Sequence, residues 1–305
     1  MRSFVCLLFL ITNMKILNEK EKIYKDNYLL KYGIFIFFGS LICNIIFSYF
    51  NESEFSSRVT RFNDFTLIHF VAAFTIAPVI EELIFRGIFT RKKIFMYVTY
   101  IGLLGYILLL QNYYLIPILA AFIILYELNK RKEVSGYIYF INALLFGFMH
   151  YEWNDLKIPD TWIGIVMTAG MGLILIWMVL NFGLIYSILL HAFNNFIAIA
   201  IIVIGYESSG MSLKEIETKD FTMKYQRVSF FVGSGNMQTD ANQFLKAENM
   251  SMSVIHGSVC FDEKLGDLYF GKYNISIERK KSSIKKLDCT SLNQLLDIAE
   301  LKQNK

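Results

Sequence analysis

Apolar residues along this chain gather into long blocks rather than alternating stripes. Residues 28–50 carry one charge, Lys31, near the start. Residues 94–111, 113–126 and 161–180 hold no charged side chain. Residues 137–150 and 183–205 lack Asp, Glu, Lys and Arg, yet each holds a His. Residues 64–90 are largely apolar until they meet Glu81, Glu82 and Arg86. A helix needs about 20 mostly apolar residues to cross roughly 30 Å of hydrocarbon. The blocks therefore predict an all-α polytopic membrane protein, a bundle of about seven transmembrane helices, with 113–128 and 136–151 the shortest.

Residues 206–305 are different material, because charges return and apolar runs shorten. Arg227–Val232 and Asp267–Ile277 read as strands. Ser291–Leu301 reads as an amphipathic helix whose apolar face is Leu292, Leu295, Leu296, Ile298 and Leu301. The expected domains are an N-terminal segment 1–27, a helical membrane domain 28–205 and a small soluble α+β appendage 206–305. In the first segment, Arg2 and the apolar run to Thr12 resemble a signal-peptide core without a small-residue cleavage site. An alternative start at Met14 explains the run equally well.

Composition sharpens this picture. The 305 residues are 55% hydrophobic, 16% aromatic and 18% charged, against about 25% charged in soluble domains. That excludes a disordered chain and an ordinary soluble enzyme. A net charge of +4, spread along the chain, gives no case for nucleic-acid binding. The four cysteines, Cys6, Cys43, Cys260 and Cys289, lack CxxC spacing. Basic clusters sit before the first block (Lys15, Lys20, Lys22, Lys25, Lys31), at Arg91–Lys93 and at Lys130–Lys132. All fall on the cytoplasmic side if the chain starts inside. Seven crossings then leave the C-terminus outside, where Cys260 and Cys289 could form a disulfide. The expected location is the cell membrane, with the lipid bilayer as the surrounding partner.

Ionisable groups within apolar spans are expensive and usually functional. Glu82 and Arg86 are four apart and can pair on one helix face. Glu81 points about 100° away and has no partner in its own helix, so it can serve as an acid or base. Pro78, one turn earlier, is expected to bend or restart that helix. Asn142, Phe146 and His150 recur at i, i+4 and i+8, and His191 and Asn195 share a face of the last span. At about 1.5 Å per residue, Glu81 lies roughly 15 Å, His191 roughly 12 Å and His150 roughly 22 Å from loops on one side. The three groups thus reach similar depth. His69, three turns above Glu81, reads as structural.

Glu81-Glu82…Arg86, Phe146…His150 and His191…Asn195, in that order within apolar spans, resemble the CPBP family of CAAX-type prenyl endopeptidases and bacteriocin-processing or immunity proteins. The resemblance covers roughly residues 60–205. It implies an intramembrane endopeptidase acting on a membrane-associated protein or peptide. Glu81 would activate water with His150, His191 and Asn195 would bind the oxyanion, and Glu82 and Arg86 would support them. It leaves a metal open: Glu81, His150 and His191 could hold Zn²⁺ with one free position, while a metal-free glutamate mechanism is slightly favoured. The chain departs from the family in the roughly sixty residues between the first two motifs, which add the blocks 94–111 and 113–128. That insertion motivates the alternative of a non-catalytic immunity or binding protein. A proton-relaying transporter is a third reading, without support from repeats.

Overall fold

The structure, a computed structural model, describes residues 27–50, 67–129, 136–208, 212–229, 231–232, 235–240, 243–260, 271–299 and 301. The N-terminal run and the first residues of the expected 267–277 strand lie outside the described residues. The described residues form two compact units, 27–50 with 71–196, and 67–70 with 197–301.

Among the described residues, the apolar blocks become seven helices: α1 Asn27–Phe50, α2 Leu67–Phe85, α3 Lys93–Leu109, α4 Ile116–Asn129, α5 Tyr137–Phe148, α6 Pro159–Asn181 and α7 Leu184–Ser208. Four of them, α1, α2, α6 and α7, are long and apolar enough to cross a membrane, while α3, α4 and α5 are shorter. Against the seven crossings expected, four helices among the described residues have the length and apolarity to cross. The helix around Pro78 runs unbroken from Leu67 to Phe85, so the expected restart does not occur.

The helical unit distributes polarity in reverse. Glu82, Arg86, Asn142 and Ser187 are wholly buried, whereas Phe35 is 77% and Leu109 83% exposed. That pattern suits a surround of hydrocarbon, where polar groups must find partners inside the protein. Lipid tails are as apolar as Leu, so helix contact relies on close packing by small residues. A Cβ on Gly33 would meet Ile174 Cγ1 at 2.7 Å, and one on Gly170 would meet Phe37 N at 2.7 Å. This fits α1 tightly against α6. Gly147 does the same for α5, with Ile165 O only 2.6 Å from its would-be Cβ.

The C-terminal unit holds a five-stranded antiparallel sheet in the order β1-β2-β5-β4-β3. The strands are β1 Lys214–Glu217, β2 Phe221–Val228, β3 Asn236–Asp240, β4 Phe244–Ser251 and β5 Lys272–Arg279. Short α8, Met252–Gly257, follows β4, and α9, Cys289–Ile298, follows β5. The α+β expectation holds, but its first strand needs correction. β2 ends at Val228, where the reading had only begun, because its true signal is the alternation of buried Phe221, Met223 and Tyr225. These pack with Ile275, Ile277 and Leu292 in one core. The terminal helix starts and stops earlier than expected, and Ile298 leaves its apolar face at 57% exposure. Asp288 caps it by accepting from Ser291 N at 2.8 Å. Cys260 and Cys289 are joined in a disulfide.

Candidate active site

Three helices of the first unit bring ionisable groups to one place. Glu81 and Glu82 stand in the last turns of α2, and Arg86 follows its end. Asn142 of α5 donates Nδ2 to Phe85 O at 2.9 Å, which satisfies a terminal carbonyl of α2 and ties the two helices together. His150 lies just past the end of α5, and His191 lies on α7.

Glu81 Oε2 is 3.8 Å from His150 Nε2 and 3.7 Å from His191 Nε2. Each imidazole is anchored through its other nitrogen. His150 Nδ1 is 2.7 Å from Phe146 O. His191 Nδ1 is 2.9 Å from Glu82 Oε1. With Nδ1 donating to those oxygens, both rings turn Nε2 toward Glu81, a tautomer choice made by their second contacts. Side-chain exposure is 14% for Glu81 and 25% for His150, but 4% for His191. The carboxylate and His150 thus face accessible space while His191 forms the inner wall.

Beneath them lies a buried charge network. Arg86 Nη1 sits 3.3 Å from Glu82 Oε1, both side chains wholly buried. Ser187 Oγ is 2.6 Å from Glu82 Oε2 and 3.0 Å from Leu175 O. The Arg86 guanidinium stacks over the Phe146 ring at 3.8 Å, and that ring meets His150 edge-on at 4.7 Å between centroids and His191 at 5.7 Å. Phe146 is therefore the packing hub of the site.

Sequence reasoning placed Glu81, His150 and His191 at one depth, and the structure brings them together. It treated Glu82 and Arg86 as support, and Glu82 proves to be the direct orienter of His191. It missed Ser187, although Ser187, His191 and Asn195 recur every four residues on α7. Asn195 Nδ2 donates to Ala73 O at 3.0 Å, eight residues before Glu81. It ties α7 to α2 above the acid. His69 is exposed on α2.

The donor set suits a metal in type, since each His is held through Nδ1 as metal ligands usually are. Among the described residues, the trio of ligand atoms lying within 4.8 Å of one another is His256, Cys260 and Cys289, whose sulfurs are disulfide-bonded. Glu81 Oε2 lies 3.8 Å from His150 Nε2 and 3.7 Å from His191 Nε2, separations that two ligands each about 2.1 Å from one ion can have.

Residues 63–197 match the family described as Type II CAAX prenyl endopeptidase Rce1-like. No curated protein and no solved structure matches the chain. The matched stretch spans the three motifs, and the match supports the resemblance of this part of the chain to the CPBP family of intramembrane proteases.

Proposed function

We propose that the helical unit is a glutamate-dependent endopeptidase that cleaves a peptide bond of a membrane-associated protein or peptide. The observation that carries this reading is the pair of anchored imidazoles flanking one Glu81 oxygen. Water held between Glu81 and His150 loses a proton to the Glu81 carboxylate as its oxygen attacks the scissile carbonyl carbon. The proton then passes to the leaving nitrogen as the C–N bond breaks. His191 in its imidazolium form donates through Nε2 to the oxyanion, and Glu82 balances that charge across the 2.9 Å contact. Asn195 has two amide hydrogens. One anchors the side chain on Ala73 O, and the other is the oxyanion donor that the family pattern assigns to it.

Within the helical unit Glu82 offsets Arg86 across 3.3 Å, both side chains wholly buried. In low-dielectric surroundings an unbalanced charge would be very costly.

The test uses the full chain in lipid nanodiscs. One probe is a fluorogenic peptide ending in a farnesylated CAAX sequence, and a second is cleavage profiling of a membrane proteome. Wild type should cut at least one probe and Glu81→Gln neither, with chelator having no effect. Turnover retained by Glu81→Gln ends the glutamate assignment. Loss to chelator that Zn²⁺ restores moves the mechanism to a metal. A wild type that cuts nothing favours the non-catalytic immunity reading.

A further inference from the structure

The helices α3 and α4 separate the first two motifs, and α3 runs along the helix that carries Glu81. Two close approaches set its direction. A Cβ on Gly87 would meet Phe95 Cβ at 3.2 Å, and one on Gly102 would meet Ile84 Cγ1 at 2.7 Å. Moving forward along α3 therefore moves backward along the α2 segment, so the two are antiparallel. One helical turn past Gly102 comes Tyr106, which is level with Ile80 and Glu81, one turn before Ile84. Its ring packs on the cluster containing Phe85, Phe146 and Met149, the immediate neighbours of the motif residues. The side chain is half-buried.

We propose that Tyr106 is a substrate-positioning residue of the Glu81 site, its hydroxyl donating a hydrogen bond to the scissile carbonyl. The intervening hairpin then contributes a donor to the site instead of merely lengthening the chain. Among the described residues, His150 from just past α5 and His191 from α7 face Glu81. Tyr106 differs from them in being a neutral donor at working pH. Tyr100, two turns earlier on α3, is committed elsewhere, with its hydroxyl 2.9 Å from Glu127 Oε1.

This proposal deepens the protease reading, so its test needs one arm free of turnover. Infrared spectra of the full chain in nanodiscs would be compared among wild type, Tyr106→Phe and Tyr100→Phe. The Glu81 carboxyl band is assigned by its loss in Glu81→Gln. Tyr106→Phe keeps the ring and should shift that band, while Tyr100→Phe should not. On the farnesylated reporter, Tyr106→Phe should lose about 100-fold in kcat, the usual effect of removing one such donor, with helix content and thermal midpoint unchanged. Either an unmoved Glu81 band or a wild-type rate in Tyr106→Phe overturns the proposal. A wild type that cleaves nothing sinks the protease reading instead, and the infrared arm still decides whether Tyr106 shares the Glu81 pocket.

Discussion

Arg86 is wholly buried, and its environment meets its charge with a carboxylate and an aromatic face. Removing one partner of a buried ion pair strands the other, at about 3–5 kcal/mol. Arg86→Ala should therefore lower the thermal midpoint sharply, by several degrees or more in detergent, whatever it does to turnover. Arg86→Lys should not rescue it fully, because an ammonium cannot stack flat on Phe146 as the guanidinium does at 3.8 Å. Ser187→Ala tests a subtler point. Its hydroxyl steadies the Glu82 oxygen opposite the one that holds His191. The loss should appear as roughly tenfold in kcat, about 1.4 kcal/mol, with KM little changed. A loss confined to KM would mean that Ser187 does not act through His191.

At the scale of elements, the ends of helices position the chemistry. His150 lies beyond α5, and Gly147 sets how closely that end approaches α6. Gly147→Ala places a Cβ against backbone at Ile165, which cannot swing aside as a side chain could. Overpacking of this kind costs about 1–3 kcal/mol. It should also reduce cleavage by displacing His150, which kinetics beside a thermal melt would reveal. In the other unit, Asp288 holds the first turn of α9. Its side-chain and backbone hydrogen bonds with Ser291 keep the Asp288 carboxyl below its usual range. Asp288→Ala should cost about 1 kcal/mol. Because the folded state lowers this group's pKa, its contribution is present above the unfolded value, near 3.9, and fades as pH falls further. Melts of wild type and variant should converge in strong acid and diverge at neutral pH.

For the molecule as a whole, the two units rest on different physics. The helical unit exposes Phe35 and Leu109 and hides its charges, so lipid is its natural solvent. The C-terminal unit has a conventional apolar core under α9 and adds the Cys260–Cys289 bond. That bond closes a separation of 29 residues, for which loop-closure entropy predicts about 3–4 kcal/mol. A dithiol reductant should lower the unfolding transition of this unit while leaving helix content intact. Protection of Cys260 from thiol-reactive label in whole cells would check that the bond forms there. Full labelling without reductant would contradict it.

Local chemistry determined a good deal by itself. Block composition set the helical, membrane-crossing character, and the ordered acid, imidazole and carboxamide motifs marked the candidate site, because a charge within hydrocarbon is tolerated only for a reason. Spacing of four residues also put Glu82 with Arg86. Tertiary structure alone decided what each of these groups meets across helices. That Glu82 orients His191 depends on contact over 109 residues of chain. That Asn195 bonds Ala73 depends on where α7 crosses α2. Neither is encoded in local periodicity, because a helix pattern states which residues share a face and is silent on the neighbour that the face will find. The strand misreading at Arg227–Val232 has the same origin: a sheet's edges are settled by its partners, here β1 and β5, more than by the strand's own residues.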